Sequence, residues 1–334
     1  VYDSEGDPMV VVAVKKGYKE VAEQLVAAGA SLETRDREGH PLVLCALEGG
    51  MDALATALLE ANSDPNLRDK RGDTMLMWAA RNDKPAVAEM LVAHGAVLAF
   101  GDKNGGNALT IALGNGNDAM IDSLLKLRGD PNCATKDGST MLMKAAGKGK
   151  ETAVEKLLEK NANVNAQQPD GTTALHVACN ANHPYVVTLL LDGKADPNLT
   201  KQGNTPLMDC VWTGKEHLIN ALIEAKANPN AQSEGGEGYT ALMRATAKGA
   251  TGAVEKLLKA KANPNIADKK GWTSLMEAAM QGMEGLTSTL LEANANPSLR
   301  SKEGSTAVQL AERGGKKKIV TLLKSKTVDD RDTA

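Results

Sequence analysis

The chain has 334 residues, a net charge of −3 and an aromatic content of 2%. Both charge signs are interspersed, so no basic field is offered to a nucleic acid or an anionic membrane. No run approaches the ~20 apolar residues of a membrane span, and Cys45, Cys133, Cys179 and Cys210 show no framework spacing, which fits a reducing compartment.

Glycine sets the organisation. Gly6, Gly39, Gly72, Gly105, Gly138 and Gly171 stand 33 residues apart, Gly203 comes one early, Gly238 two late, and Gly271 and Gly304 restore the step. A period of this length predicts units that bury their apolar faces only against neighbours. With one Phe (Phe100), the core must be Ala, Leu, Val and the 13 Met.

In chain order, repeat one opens with Met9 to Val14, apolar on every face, and repeats one and two carry Pro8 and Pro41 where a helix cap is needed. The bare first repeat predicts a cover, either further repeats upstream or a partner chain. Repeat five shows the unit in full. Thr140 caps a short helix. Leu142, Ala145 and Ala146 form its buried stripe, with Ala allowing helices of successive repeats to approach. Gly149 ends it in a left-handed turn. A second helix carries Val154, Leu157 and Leu158. Asn161 to Asn165 and a turn, Asp-x-x-Gly in repeats such as Asp36 to Gly39, then reverse the chain.

Gly171-Thr172-Thr173-Ala174-Leu175-His176-Val177-Ala178 and Gly203-Asn204-Thr205-Pro206-Leu207-Met208 carry the pattern best. It resembles the ankyrin repeat family, over roughly residues 3–325 and in ten copies. The resemblance implies an all-α fold, an ankyrin-repeat α-solenoid with short β-turn or hairpin fingers. It is read as one array over residues 1–326 followed by a polar tail, 327–334. In the family a His after the Leu bonds neighbouring turns. Here only His176 keeps it, and Met77, Met143, Met208, Met243 and Met276 replace it. The turns are therefore expected to be held by packing, with Met as an adaptable filler. Pro65, Pro131, Pro197, Pro229, Pro264 and Pro297 stiffen the approach to the turns.

Enzyme signatures are lacking: there is no phosphate-cradling Gly-rich loop, no Gly-x-Ser-x-Gly turn and no His-Glu-x-x-His helix. No catalytic residue, cofactor or metal is expected. His176, Cys179 and His183, with Cys210 one repeat on, are the only ligand-like set, and packing is the preferred reading because zinc needs convergent geometry.

The resemblance implies that partners meet the turn tips and the concave face of the first helices. Trp212 falls late in the first helix of repeat seven, Tyr239 and Trp272 follow the turn glycines of repeats eight and nine, and Met280 lies near the end of the ninth first helix. These are the expected anchors, since aromatics dominate interface energetics, although padding between turns is the other reading. Trp78 in repeat three is a more isolated candidate. Lys144, Asp209, Arg244, Glu277 and Gln309 form a row, read as a ladder of inter-repeat ion pairs or as a charge code that orients a partner. The connection Ala231 to Glu237 is two residues longer than its equivalents, through drift or as a reshaped binding edge. Repeat ten closes with Lys316, Lys317, Lys318, Lys324 and Lys326, as suits a solvent-facing end.

The expected function is a non-catalytic scaffold for a protein partner, in the cytoplasm by default, with an organelle interior left open. The alternatives are a permanent subunit of a large assembly, or the ankyrin region of an enzyme or channel whose active domain precedes Val1. Nucleic-acid binding and direct membrane insertion are not expected.

Overall fold

A computed structural model describes residues 2–3 and 6–332, with side chains through Ser325. The chain divides into two units: residues 1–145 with 155–162, and residues 146–154 with 163–334. In the first lie α1 (Met9–Lys15), α2 (Lys19–Ala27), α3 (Leu42–Glu48), α4 (Asp52–Glu60), α5 (Met75–Arg81), α6 (Pro85–Ala93), α7 (Ala108–Asn115) and α8 (Asp118–Lys126). The boundary passes through α9 (Met141–Gly147) and α10 (Glu151–Glu159). The second unit holds α11 (Ala174–Ala181), α12 (Pro184–Asp192), α13 (Pro206–Thr213), α14 (Glu216–Glu224), α15 (Ala241–Ala247), α16 (Thr251–Lys259), α17 (Ser274–Gln281), α18 (Glu284–Glu292), α19 (Ala307–Arg313) and α20 (Lys317–Asp332). Isolated antiparallel bridges such as Arg35–Pro41 and Arg68–Thr74 close the turns between repeats. Among the described residues no helix is long and apolar enough to cross a membrane.

Within each unit an odd-numbered helix packs on the even-numbered helix that follows it, from α1 on α2 to α7 on α8 and from α11 on α12 to α19 on α20. In the second unit α11, α13, α15, α17 and α19 form one layer while α12, α14, α16, α18 and α20 form the other. The sequence dictates this locally. Leu at the second helical position and the Ala pair that follows are fully buried, as in Leu142, Ala145 and Ala146 or Leu275, Ala278 and Ala279. Thr74, Thr140, Thr173, Thr205, Thr240, Thr273 and Thr306 each accept the backbone N–H three residues on, a cap worth about 1 kcal/mol. Asn107 does so in repeat four, and Pro8 and Pro41 give no side-chain cap.

Two expectations are corrected. The first repeat is not bare: Val10, Val11, Ala13 and Val14 are buried, because α1 packs on both α2 and α3. Its exposed large apolar side chains are Tyr2, Met9, Tyr18 and Val21. Nor are the turns held by packing alone. The N-cap N–H groups of Thr74, Thr140 and Thr240 donate to the sulfurs of Met77, Met143 and Met243 at 3.4–3.5 Å, so Met keeps one bond of the missing His. Successive turns are joined by backbone hydrogen bonds: Lys136 N–H to Asn104, Gln202 to Asp170, Glu234 to Gly203, Lys269 to Glu237 and Lys302 to Lys270. The approach is so close that a Cβ at Gly203 (φ +81°) would collide with the Glu234 carbonyl.

Asparagines brace the opposite edge. Asn198 Nδ2 donates to Lys226 O (3.3 Å) and its Oδ1 accepts from Asn228 N–H (2.7 Å). Asn66, Asn165, Asn230 and Asn265 make the same two bonds to the following repeat. The helix α20 runs through residues 327–332 of the polar tail. The cation of Lys326, and residues 333–334, lie outside what is described.

Candidate partner-binding cleft

The second unit carries a cleft of about 580 Å³ built from the turn tips and first helices of repeats seven to ten. Its walls begin with local turn chemistry. Asp268 Oδ1 accepts the N–H groups of Lys270 and Trp272, both at 2.8 Å, which fixes the base of the Trp272 side chain. The longer connection before Tyr239 is braced in a similar way. Ser233 exchanges hydrogen bonds with Tyr239, N–H to O at 2.9 Å and N–H to Oγ at 3.0 Å. Gln232 Nε2 spans from Gly238 O (2.9 Å) to Ala267 O (3.0 Å) in the next repeat. The insertion thus forms an ordered turn that presents Tyr239.

Trp212 stands at the end of α13, 53% exposed, and Tyr239 and Met280 are 38% and 39% exposed. All three line the cleft together with Trp272, Arg244 and Glu277. Ala247, which occupies in repeat eight the register position of Trp212 and Met280, leaves room between them. Lys248 Nζ lies 4.5 Å from the centroid of the Trp212 ring and the Arg244 guanidinium 6.0 Å from it, within cation–π range. Arg244 also donates to Asn204 Oδ1 at 2.6 Å. Burial pulls its pKa down, with the Asp209 and Tyr239 charges opposing, and burial raises that of Asp209.

Of the residues singled out from sequence, the cleft therefore gathers Trp212, Tyr239, Trp272, Met280 and Arg244. It does not include Trp78 or Lys144. Trp78 lines a groove of about 140 Å³ in the first unit with His40, Glu48, Asp69 and Arg71. Lys144 faces the turn carboxylate of Asp137, whose pKa it helps to lower after the Thr135 hydroxyl and Ser139 N–H.

The ion-pair ladder does not form. Among the described residues no carboxylate oxygen of Asp209 or Glu277 comes within 4.0 Å of the Arg244 guanidinium, whose fork is taken by Asn204 and the face of Trp212. Gln309 does not belong to the row either. Its Oε1 accepts the Thr306 N–H at 2.9 Å, the capping position that Met holds in other repeats, and buried Leu310 takes the row position.

A pattern missed from sequence lies in the first unit. In repeats one to three the residue after the turn glycine meets the residue eight further on, at the end of the same first helix. Two of these pairs are ionic, Asp7–Lys15 at 3.2 Å and Asp73–Arg81 at 2.5 Å, and between them His40 lies 3.5 Å from Glu48. Lys15 also reaches Asp36 Oδ2 at 3.0 Å. The Arg37 N–H lowers the Asp7 pKa against burial, with Lys15 adding. Burial raises that of Asp36, but the His40 N–H and Lys15 outweigh it and the net shift is down. In repeats seven to nine the same positions hold Asn204 and Trp212, Tyr239 and Ala247, Trp272 and Met280. Trp212, Ala247 and Met280 thus stand where Lys15, Glu48 and Arg81 do, and the charges are gone. The signal was readable as an eight-residue offset, since Asp-Lys and Asp-Arg repeat at it.

Asp36, Glu38 and His40 present ligand atoms within 4.8 Å of one another, but the Lys15 ammonium already holds the central carboxylate. The His176, Cys179 and His183 set does not converge. His176 Nδ1 meets the Thr173 hydroxyl at 2.9 Å and its Nε2 the Asn204 carbonyl at 3.2 Å, while His183 Nε2 turns back to Gly147 O at 3.2 Å. Cys179 is buried against Cys210, and that contact, then burial, raises its pKa.

The family model for ankyrin repeats (three copies) matches in overlapping stretches across residues 10–301 (10–102, 42–137, 94–168, 115–201, 142–233 and 207–301). No curated protein matches the chain. With the paired short helices, capped first turns and bridged fingers described above, the match makes this chain a member of the ankyrin repeat family, whose repeats are generally protein–protein interaction modules and typically non-catalytic.

Proposed function

We propose that the protein is a non-catalytic scaffold that grips a protein partner through the cleft of repeats seven to ten. The observation that carries this reading is the exposure of Trp212, Tyr239 and Met280 around one cavity, with Trp212 and Met280 at the helix-end position that Lys15 and Arg81 hold in repeats one and three. Large aromatics left open to water cost hydration free energy that a partner recovers, and such side chains supply ~2 kcal/mol or more each when central to an interface. Ordered turns and a cation-held indole lower the conformational cost of association. The four free cysteines support a reducing compartment, the cytoplasm, as the place of work.

The test replaces Trp212, Tyr239 and Trp272 together by Ala in the full chain and compares co-purified proteins by quantitative mass spectrometry. A control variant carries Glu155→Ala and Glu159→Ala on α10. The scaffold reading expects a partner retained by the wild type and the control but lost from the triple variant, whose circular dichroism and melting stay unchanged. Equal recovery of the same partner by the folded triple variant would overturn it.

A further inference from the structure

The charges lining the cleft are unequally satisfied, and this names the chemistry of its occupant. Two cations face it, and both are engaged. Lys270 Nζ sits 3.3 Å from Glu237 Oε2, and Arg244 is held by Asn204 and by the face of Trp212. Asp268 is largely consumed by its own turn, through the Lys270 and Trp272 N–H groups. The carboxylates of Glu277 and Glu303 also line the cleft. Among the described residues neither has a Lys, Arg or His nitrogen within 4.0 Å. Glu277 receives only a neutral hydrogen bond, from Gln281 Nε2.

Aromatic faces repeat the asymmetry. Trp212 already carries Lys248 and Arg244, so this surface seats cations on rings within the chain itself. No such cation lies over Tyr239 or Trp272 among the described residues, and both rings line the same cavity as Glu277 and Glu303. Ring quadrupoles and nearby carboxylates attract the same ligand, a positive charge on a stem long enough to lie along an aromatic face. The cavity continues to Trp212 and Met280, which suits an apolar neighbour of that charge.

Resting on the reading of this cleft as the partner site, we infer that it takes an extended segment of the partner bearing an arginine or lysine beside an apolar residue. The cation seats against Trp272 and Tyr239 with Glu277 and Glu303 as counter-charges, and the apolar side chain lies on Trp212 and Met280. Partly desolvated charge pairs of this kind fix register and partner choice.

A random peptide library displayed on phage, panned against the full chain, tests this. Enriched peptides are synthesised with a fluorophore and measured by anisotropy against wild type, Glu277→Gln/Glu303→Gln and Trp212→Ala/Tyr239→Ala/Trp272→Ala. The inference expects one enriched Arg or Lys position next to an apolar residue. It also expects about tenfold weaker binding when that residue becomes citrulline or norleucine, and a similar loss in the double Gln variant. Because the change on the peptide leaves the protein untouched, a misfolded variant cannot imitate the result. Enriched peptides that lack a basic residue, yet are lost with the aromatic triple variant, would overturn the cation and leave the cleft standing. Peptides bound equally by the aromatic triple variant, or no enrichment at all, would overturn both.

Discussion

Lys248 holds its ammonium nitrogen 4.5 Å from the centroid of the Trp212 indole, so the most exposed tryptophan of the chain is positioned from within. The pair sits one repeat apart in sequence and joins the end of α15 to the end of α13. A cation–π contact at an exposed site is worth about 0.5–1 kcal/mol. Lys248→Ala is therefore expected to lower stability by no more than that in urea melts, while the Trp212 ring gains motion. Time-resolved fluorescence anisotropy in a Trp78→Phe/Trp272→Phe background should show a faster local decay. An unchanged decay would mean that the ring is held by something else.

His176 gives a pH dependence with a clear sign. Burial lowers its pKa to about 4, with the Asn204 carbonyl opposing, against an ordinary value near ~6.5. The unfolded chain then binds more protons between these values, so stability falls as pH drops from ~6.5 towards 4, by something on the order of 3 kcal/mol. His176→Met, the residue used in five other repeats, should flatten that window in urea melts. Below ~4 both proteins should lose stability alike, because the lowered carboxylates of Asp7 and Asp36 stabilise only while ionised. A wild-type slope that persists in the Met variant would contradict the assignment.

The asparagine brace predicts a directional substitution. Asn198→Asp keeps the oxygen that accepts from Asn228 N–H and loses the Nδ2 donor to Lys226 O. The expected cost is about 1 kcal/mol, read from the denaturation midpoint at pH 7. No loss would show that the Lys226 carbonyl is equally served by water.

Thiol chemistry checks the packing. Burial pushes Cys45 up to about 12 and raises Cys133, and the Cys210 contact with burial raises Cys179. Since the thiolate is the reactive form, iodoacetamide at pH 8 should alkylate the native protein slowly and all four cysteines rapidly in urea. Mass spectrometry reads the difference. Rapid native alkylation of Cys179 would mean that the α11–α13 contact opens readily.

The glycine spacing carried the fold, because each left-handed turn and each Thr cap has a local signature. The place of two aromatics at the cleft was readable for a related reason: Tyr239 and Trp272 follow turn glycines, where the repeat leaves side chains at the cleft. The tie between Arg244 and Asn204 was not readable, since it spans 40 residues and joins two different repeats. Nor was the sulfur bond at Met77, because a thioether is a weak acceptor and its sequence signal is that of packing. Gln309 was misplaced by one residue, and its capping role appears only once Thr306 is seen as the N-cap.

The most direct test of the central claim places a photo-crosslinking benzoylphenylalanine at Met280 of the full chain, and separately at Glu155 on α10, with irradiation in the native extract. The account predicts one covalent partner from position 280, absent from position 155 and suppressed by the Trp212→Ala/Tyr239→Ala/Trp272→Ala background. The same partner captured equally from position 155, or unaffected by loss of the three aromatics, would contradict it.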